Sequence, residues 1–247
     1  MGRITEAVKH ILIVNVLFFI ATQLLGDQMY QWFSLWFPQN ENFYLWQVVT
    51  HMFMHGGFMH ILFNMYALWA FGTPMEQMWG RNKFVFFYFS AGLGAALIHI
   101  LVNYYHFNSG LQVLLGHGFQ PEEIYTVLNE GRYMTAWESI LTPDDLDNFL
   151  SAFMTPSVGA SGAIYGVLVA FGMMFPNAEL MLLFFPVPVK AKYFIPGLIV
   201  VDLFSGLSGT SIFGPGIAHF AHLGGALFGF IMVWYWKRNQ FRNNRWD

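Results

Sequence analysis

Residues 84–121 read FVFFYFSAGLGAALIHILVNYYHFNSGLQVLLGHGFQP, 38 residues without an Asp, Glu, Lys or Arg. The hydrocarbon core of a bilayer is about 30 Å thick, and about 20 apolar helical residues cross it. This run is long enough to cross with residues to spare, and it does not stand alone. Charge-free runs also cover His10–Gly26 (17 residues), Asn42–Met75 (34), Asn148–Ala178 (31) and Leu203–Trp236 (34). Tyr193–Gly206 is apolar but for Asp202. Trimmed at their turn residues, the runs predict six membrane spans at Val8–Leu25, Gly57–Gly72, Phe84–Asn103, Gly159–Phe175, Tyr193–Gly206 and Ile217–Trp236. Composition agrees: 56% of the 247 residues are hydrophobic and 10% charged, with 28 Phe and a mean hydropathy of +0.46. A soluble domain carries about 25% charged residues. A disordered chain, a nucleic-acid binder and an ordinary soluble enzyme are excluded on these grounds. With no cysteine, disulfides, Cys-ligated zinc and thiol catalysis are excluded too.

The cations set the orientation. Arg3 and Lys9 precede span 1, Arg81 and Lys83 lie between spans 2 and 3, and Lys190 and Lys192 between spans 4 and 5. Lys237, Arg238, Arg242 and Arg245 follow span 6, and only Arg132 falls on the other side. The positive-inside rule then puts both termini in the cytoplasm, and a five-span reading would break the alternation. Asp27, Glu41, Glu122, Glu123, Glu130, Glu138, Asp144, Asp145 and Asp147 fall in the opposite loops. The N-terminal stretch is not expected to be a signal peptide, because it is long, holds Asn15 and lacks a small-x-small cleavage site. The chain is expected to form one membrane domain over residues 1–247, in a bacterial-type cell inner membrane.

Two outer loops are more than turns. Asp27–Thr50 carries Trp32, Trp36, Phe37, Tyr44 and Trp46, which suits an interfacial segment, or simply packing on helix ends. An acidic insert occupies about 104–156, between spans 3 and 4. In it Thr142-Pro143-Asp144-Asp145 reads as a helix start, with Thr as N-cap and Pro in the first turn. Leu146, Phe149, Leu150 and Phe153 follow at helical spacing, and Pro121-Glu122-Glu123 opens a similar short helix. The insert therefore reads as one or two surface helices on the outer face, expected to cap access from that side.

Polar groups inside a bilayer are expensive and mark functional candidates. Gly159-Ala160-Ser161-Gly162 places a serine at the start of span 4, where unpaired backbone N–H groups and the helix dipole favour developing negative charge. Ala218-His219-Phe220-Ala221-His222-Leu223-Gly224-Gly225 places an imidazole in span 6 as a candidate general base. Gly225 and Gly229 would let that helix approach span 4 closely, while His219 reads as structural. His60 and Asn64 share one face of span 2, with two side-chain donors. Each cluster has a plain alternative: small residues for tight packing, and polar side chains bonding between helices. Asp202 is the one carboxylate within a span, and a place facing water near the outer end of span 5 is expected for it.

Together these residues resemble the rhomboid intramembrane serine proteases. The family's HxxxN looks like His60 and Asn64, its GxSG looks like residues 159–162, and its AHxxG looks like residues 221–225. Tyr165 matches a tyrosine that stacks on the catalytic histidine, and Glu76 fits an acidic position near the inner end of span 2. The resemblance implies a six-helix all-α bundle and a Ser161–His222 dyad with no third Asp. It implies an oxyanion held by the Ser161 N–H with His60 and Asn64, supporting roles for Gly159, Gly162, Tyr165 and Gly225, and single-span membrane proteins as substrates. No cofactor, metal or nucleic acid is expected as a partner. Two departures stand out: the family's Trp-Arg pair in the first loop reads Trp46-Gln47, and the insert is long. The chain ends soon after Trp236, so no seventh span is expected.

Other readings fit less well. An inactive rhomboid-like adaptor that binds membrane clients would usually lack the serine or the histidine. A transporter or metal handler built on His51, His55, His60, His219 and His222 finds no carboxylate in a ligand pattern. A zinc protease needs HExxH, which is absent, and an aspartyl protease needs two membrane carboxylates.

Overall fold

Nothing in the sequence stops a helix between Arg81 and Gly116, and a single helix of 36 residues forms there. A computed structural model describes residues 3–182, 185–210 and 216–243. In chain order its helices are α1 (Glu6–Leu25), α2 (Asp27–Phe33), α3 (Gln47–Thr50), α4 (Phe58–Ala67), α5 (Thr73–Trp79) and α6 (Arg81–Gly116). There follow α7 (Pro121–Asn129), α8 (Pro143–Met154), α9 (Ser161–Met174), α10 (Ala191–Ser208) and α11 (His219–Asn243). Three of them (α1, α6 and α10) are long and apolar enough to cross a membrane, and α9 is apolar but shorter. Large apolar side chains such as Leu17, Leu24, Phe204, Leu207, Phe230 and Tyr235 are exposed, as lipid-facing residues are. Arg245, one of the cations used for orientation, lies outside the described residues.

The predicted boundaries shift where packing extends a helix. Span 3 was expected to end at Asn103, with the insert starting at Tyr104; instead α6 runs on for three more turns. Its extension supplies Phe107 and Leu114 to a second apolar core with Phe37, Ile124, Leu128, Trp137, Phe149 and Phe153. Gly110 is what admits Phe149, since a Cβ there would lie 2.6 Å from the phenylalanine ring. At about 1.5 Å per residue α6 is about 54 Å long, well beyond the bilayer core. Two insert features follow the sequence reading. Thr142 Oγ1 accepts the Asp145 N–H at the start of α8, and Pro121 opens α7.

Span 2 also outruns its expected end at Gly72. A π-helical turn at Leu68–Gly72 joins α4 to α5, and Pro74 is tolerated because it sits in the first turn of α5. The all-α expectation misses a small antiparallel hairpin, β1 (Glu179–Leu182) and β2 (Phe185–Lys190), between α9 and α10. Turn and proline residues there favour extended backbone over a direct helix-to-helix link.

The main core is built by α1, α4 to α6 and α9 to α11 around Phe84, Phe87, Tyr88, Ile164, Val167 and Val233. One end of this bundle is fixed by charge. Lys83 Nζ sits 4.1 Å from the centre of the Trp236 ring, Lys237 donates to the Met173 carbonyl at 2.7 Å, and Glu76 meets the start of α1. Both Glu76 oxygens are used: Ala7 N–H donates at 2.8 Å, Val8 N–H at 2.9 Å and Thr5 Oγ1 at 2.5 Å. The carboxylate thus caps α1 from another helix, favoured by the helix dipole.

Candidate active site

α9 and α11 cross at backbone contact. A Cβ on Gly225 would fall 1.8 Å from the Gly162 carbonyl oxygen, and one on Gly229 would fall 2.6 Å from the Gly166 Cα. Only hydrogen fits at these positions. The crossing also needs room behind it: a Cβ on Gly162 would meet Ala95 of α6 at 2.5 Å. Ser161 is the first residue of α9, immediately before this contact, and His222 lies one turn before Gly225 on α11. The close approach therefore brings two residues that are far apart in sequence within reach. Ser161 Oγ and His222 Nε2 are 2.8 Å apart, a normal hydrogen bond.

The loop before the serine is held from several sides. Leu35 and Ser157 exchange two backbone hydrogen bonds of 2.9 Å, and the Gly159 N–H donates to the His51 carbonyl at 2.9 Å. Gly159 has φ +125°, where a side chain is strained. A Cβ there would also sit 2.8 Å from His60 Nε2 and 3.6 Å from Ser161 Oγ. The missing side chain leaves a space bordered by the serine hydroxyl and the His60 ring. His60 Nδ1 accepts the Gly56 N–H at 3.3 Å, so the ring's proton is on Nε2, the atom that faces this space. The first N–H groups of α9 open onto the same region, since no helical carbonyl precedes them. Asn64 is buried one turn along α4, and its Nδ2 donates to the His60 carbonyl at 3.0 Å. That bond uses one of its two amide hydrogens.

The Tyr165 ring stacks on His222, with centroids 4.2 Å apart and planes 13° from parallel. Its hydroxyl donates to Asp202 Oδ2. Asp202, on α10, is fully buried, so the expected water-facing position is wrong. Its Oδ1 lies 2.5 Å from His219 Nδ1 and 3.2 Å from His222 Nδ1. A carboxylate thus does stand behind His222, contrary to the expectation of no third Asp. The sequence signal was available, as a lone carboxylate in an apolar span requires partners, but nothing in it named them. Asp202, His219 and His222 are also the one group of donors, among the described residues, close enough together to suggest a metal. Tetrahedral ligands about 2.0–2.1 Å from zinc lie about 3.3 Å from each other. The 2.5 Å contact between Asp202 and His219 is instead a direct hydrogen bond.

The sequence matches the family described as Rhomboid domain over residues 42–117 and 132–239, well over half of the chain. The chain belongs to the rhomboid family. Rhomboid protein 1, mitochondrial, of Saccharomyces cerevisiae is 26% identical over 188 residues, which cover 76% of this chain and 41% of the yeast protein. Presenilin-associated rhomboid-like protein, mitochondrial, of Rattus norvegicus is 29% identical over 184 residues, 74% of this chain and 35% of its own length. Rhomboid protease GlpG of Salmonella choleraesuis is 38% identical over 76 residues, 30% of this chain and 28% of its own length. The chain thus spans about two fifths or less of these curated relatives. It is an integral, multi-pass membrane protein of the rhomboid type. The yeast and rat relatives are named as mitochondrial, and the expected bacterial-type cell inner membrane gains no support from the comparisons.

Within that family frame, Gln47 resolves the first departure in the sequence. It is fully buried, where the family pattern has arginine. Its Nε2 donates to the carbonyls of Gln31 at 3.0 Å and Asn42 at 2.8 Å, and its Oε1 accepts the Trp36 N–H at 3.3 Å. One neutral amide ties together the aromatic segment that follows α1.

Proposed function

We propose that this chain is an intramembrane serine endopeptidase that cuts single-span membrane proteins within or near the bilayer. The observation that carries the proposal is the 2.8 Å contact between Ser161 Oγ and His222 Nε2, made at the N-terminus of a helix. In this reading His222 removes the serine proton as Oγ attacks the scissile carbonyl. The tetrahedral intermediate places its negative charge in the space beside Gly159. There the Ser161 N–H, His60 Nε2–H and the remaining Asn64 amide hydrogen stabilise it. His222 then returns the proton to the leaving amine, and water releases the acyl-enzyme by the same steps. No metal or cofactor takes part in this sequence.

Six spans with both termini cytoplasmic and one membrane domain over residues 1–247 accompany the proposal. The gathering of Lys83, Lys237 and the start of α1 at one end of the bundle supports that orientation. α9 has 14 residues, about 21 Å at 1.5 Å per residue. With its C-terminus at the cytoplasmic surface, its N-terminal serine lies below the outer surface. A cut within the bilayer requires that depth. The insert then stands on the outer face above the site.

The test is cleavage of a model single-span substrate by the protein purified in detergent. Ser161→Ala and His222→Ala are expected to lower the rate by at least about 10³-fold, the scale for losing a nucleophile or its base. A serine-directed fluorophosphonate should label wild type at Ser161. If both variants cleave as fast as wild type, the assignment fails. A protein that binds such substrates and never cleaves them is an adaptor instead.

A further inference from the structure

We propose that Asp202 is a positioning residue for His222, which makes the working unit Ser161–His222–Asp202 rather than a pair. The inference rests on the proteolytic reading above and deepens it.

An ionised carboxylate has no hydrogen to donate, so both histidines that touch Asp202 Oδ1 must donate to it through Nδ1–H. For His222 this decides the tautomer. With its proton held on Nδ1, Nε2 carries the lone pair, and Nε2 is the atom 2.8 Å from Ser161 Oγ. The opposite tautomer would present Nε2–H to the serine and could not accept its proton. When the base becomes imidazolium, the carboxylate is already 3.2 Å from its far side. This division of labour is how an aspartate serves a serine–histidine pair in soluble proteases.

The surroundings of Asp202 suit an aspartate that is itself held still. Tyr165 donates its hydroxyl to Oδ2 while its ring lies against His222. One side chain on the serine's own helix therefore fixes both the base and the base's acceptor. His219 holds Oδ1 from one turn earlier on α11, at 2.5 Å. Its other ring nitrogen is buried without a partner, so Asp202 is the polar anchor of His219. Three helices thus converge on one carboxylate that is completely shielded from solvent. Burying a charge in this way is costly unless each lone pair is used. A tie between helices would need only one such bond; here Oδ1 is shared with the base.

The experiment compares wild type with Asp202→Asn, Asp202→Glu and Ser161→Ala in detergent. It reads kcat, KM and the rate of fluorophosphonate labelling, with thermal unfolding as the check on folding. Asparagine can offer N–H to His222 Nδ1 and so favours the wrong tautomer. Asp202→Asn is expected to lower kcat by about 10²–10⁴-fold, slow labelling in parallel and leave KM within about threefold. Asp202→Glu should recover at least about tenfold of that loss. An Asp202→Asn enzyme with kcat within about threefold of wild type, beside an inactive Ser161→Ala, overturns the role of Asp202 and leaves the protease reading intact. A Ser161→Ala protein that still cleaves overturns the protease reading itself. If Asp202→Asn does not fold, ¹⁵N-histidine spectra of wild type decide, with the His222 signals assigned from His222→Gln. Protonation at Nδ1 is expected for neutral His222, and protonation at Nε2 alone overturns the proposal.

Discussion

Two carboxylates are buried among the described residues, and their partners differ in kind. Glu76 is held by two backbone N–H groups and the Thr5 hydroxyl at the start of α1. Asp202 is held by a tyrosine and two histidines. Both solve the same physical problem, since a buried charge needs its lone pairs occupied. Backbone donors cannot change protonation or swing away, so Glu76 is suited to fastening one helix to another. Imidazoles can gain a proton, exchange tautomers and turn, so Asp202 is suited to chemistry. What a buried charge does is therefore set by the titratability of its donors more than by its own depth.

The sharpest way to separate the two is to remove each in turn. Glu76→Ala strips the cap from α1 and leaves its first N–H groups without an acceptor. A stability loss of about 3 kcal/mol is expected, with one to two lost charge-assisted bonds as the scale. It should appear as a lower unfolding midpoint in detergent, while the labelling rate at Ser161 per folded molecule stays unchanged. A variant that kept its midpoint and lost labelling would erase the distinction. Next in size is Tyr165→Phe, which leaves the stacked ring and removes the hydroxyl from Asp202. Cleavage should slow about tenfold, equivalent to about 1.4 kcal/mol, with little change in the midpoint. A normal rate would mean that Asp202 is held well enough by the histidines alone. The smallest effect belongs to Thr5→Ala, which removes the one side-chain donor from Glu76. About 1 kcal/mol of stability is expected to go, and kcat should not move.

Sequence reading reached some parts of the molecule and not others for identifiable reasons. The crossing of α9 and α11 was legible because Gly162, Gly225 and Gly229 announce close approach in any apolar helix. The α8 start was legible because Thr142 and Pro143 act on their immediate neighbours. The extension of α6 was not, because Asn103–Gly116 stays helical through contacts with Phe149 and Phe153, which come from α8. Hydropathy measures fit to a bilayer and is silent about a helix that leaves it to build a second core. The hairpin after α9 was missed because short strands between prolines give little periodicity. Asp202 stood out as an expensive residue, yet its partners lie on two other helices, so its surroundings could not be read from spacing. Gln47 stands out in the sequence only as a departure, and its three bonds reach residues 5, 11 and 16 positions earlier in the chain, spacings that follow no helical or strand period.

One hydrogen atom on residue 225 carries more history than its size suggests. With the facing carbonyl 1.8 Å from where a methyl would begin, no drift through alanine or serine is open to that position unless the two helices separate. Separation would carry the imidazole away from the hydroxyl. The nucleophile, its base and the bare backbone between them can therefore pass to descendants only together, and a copy that gains a side chain there is committed to a different trade.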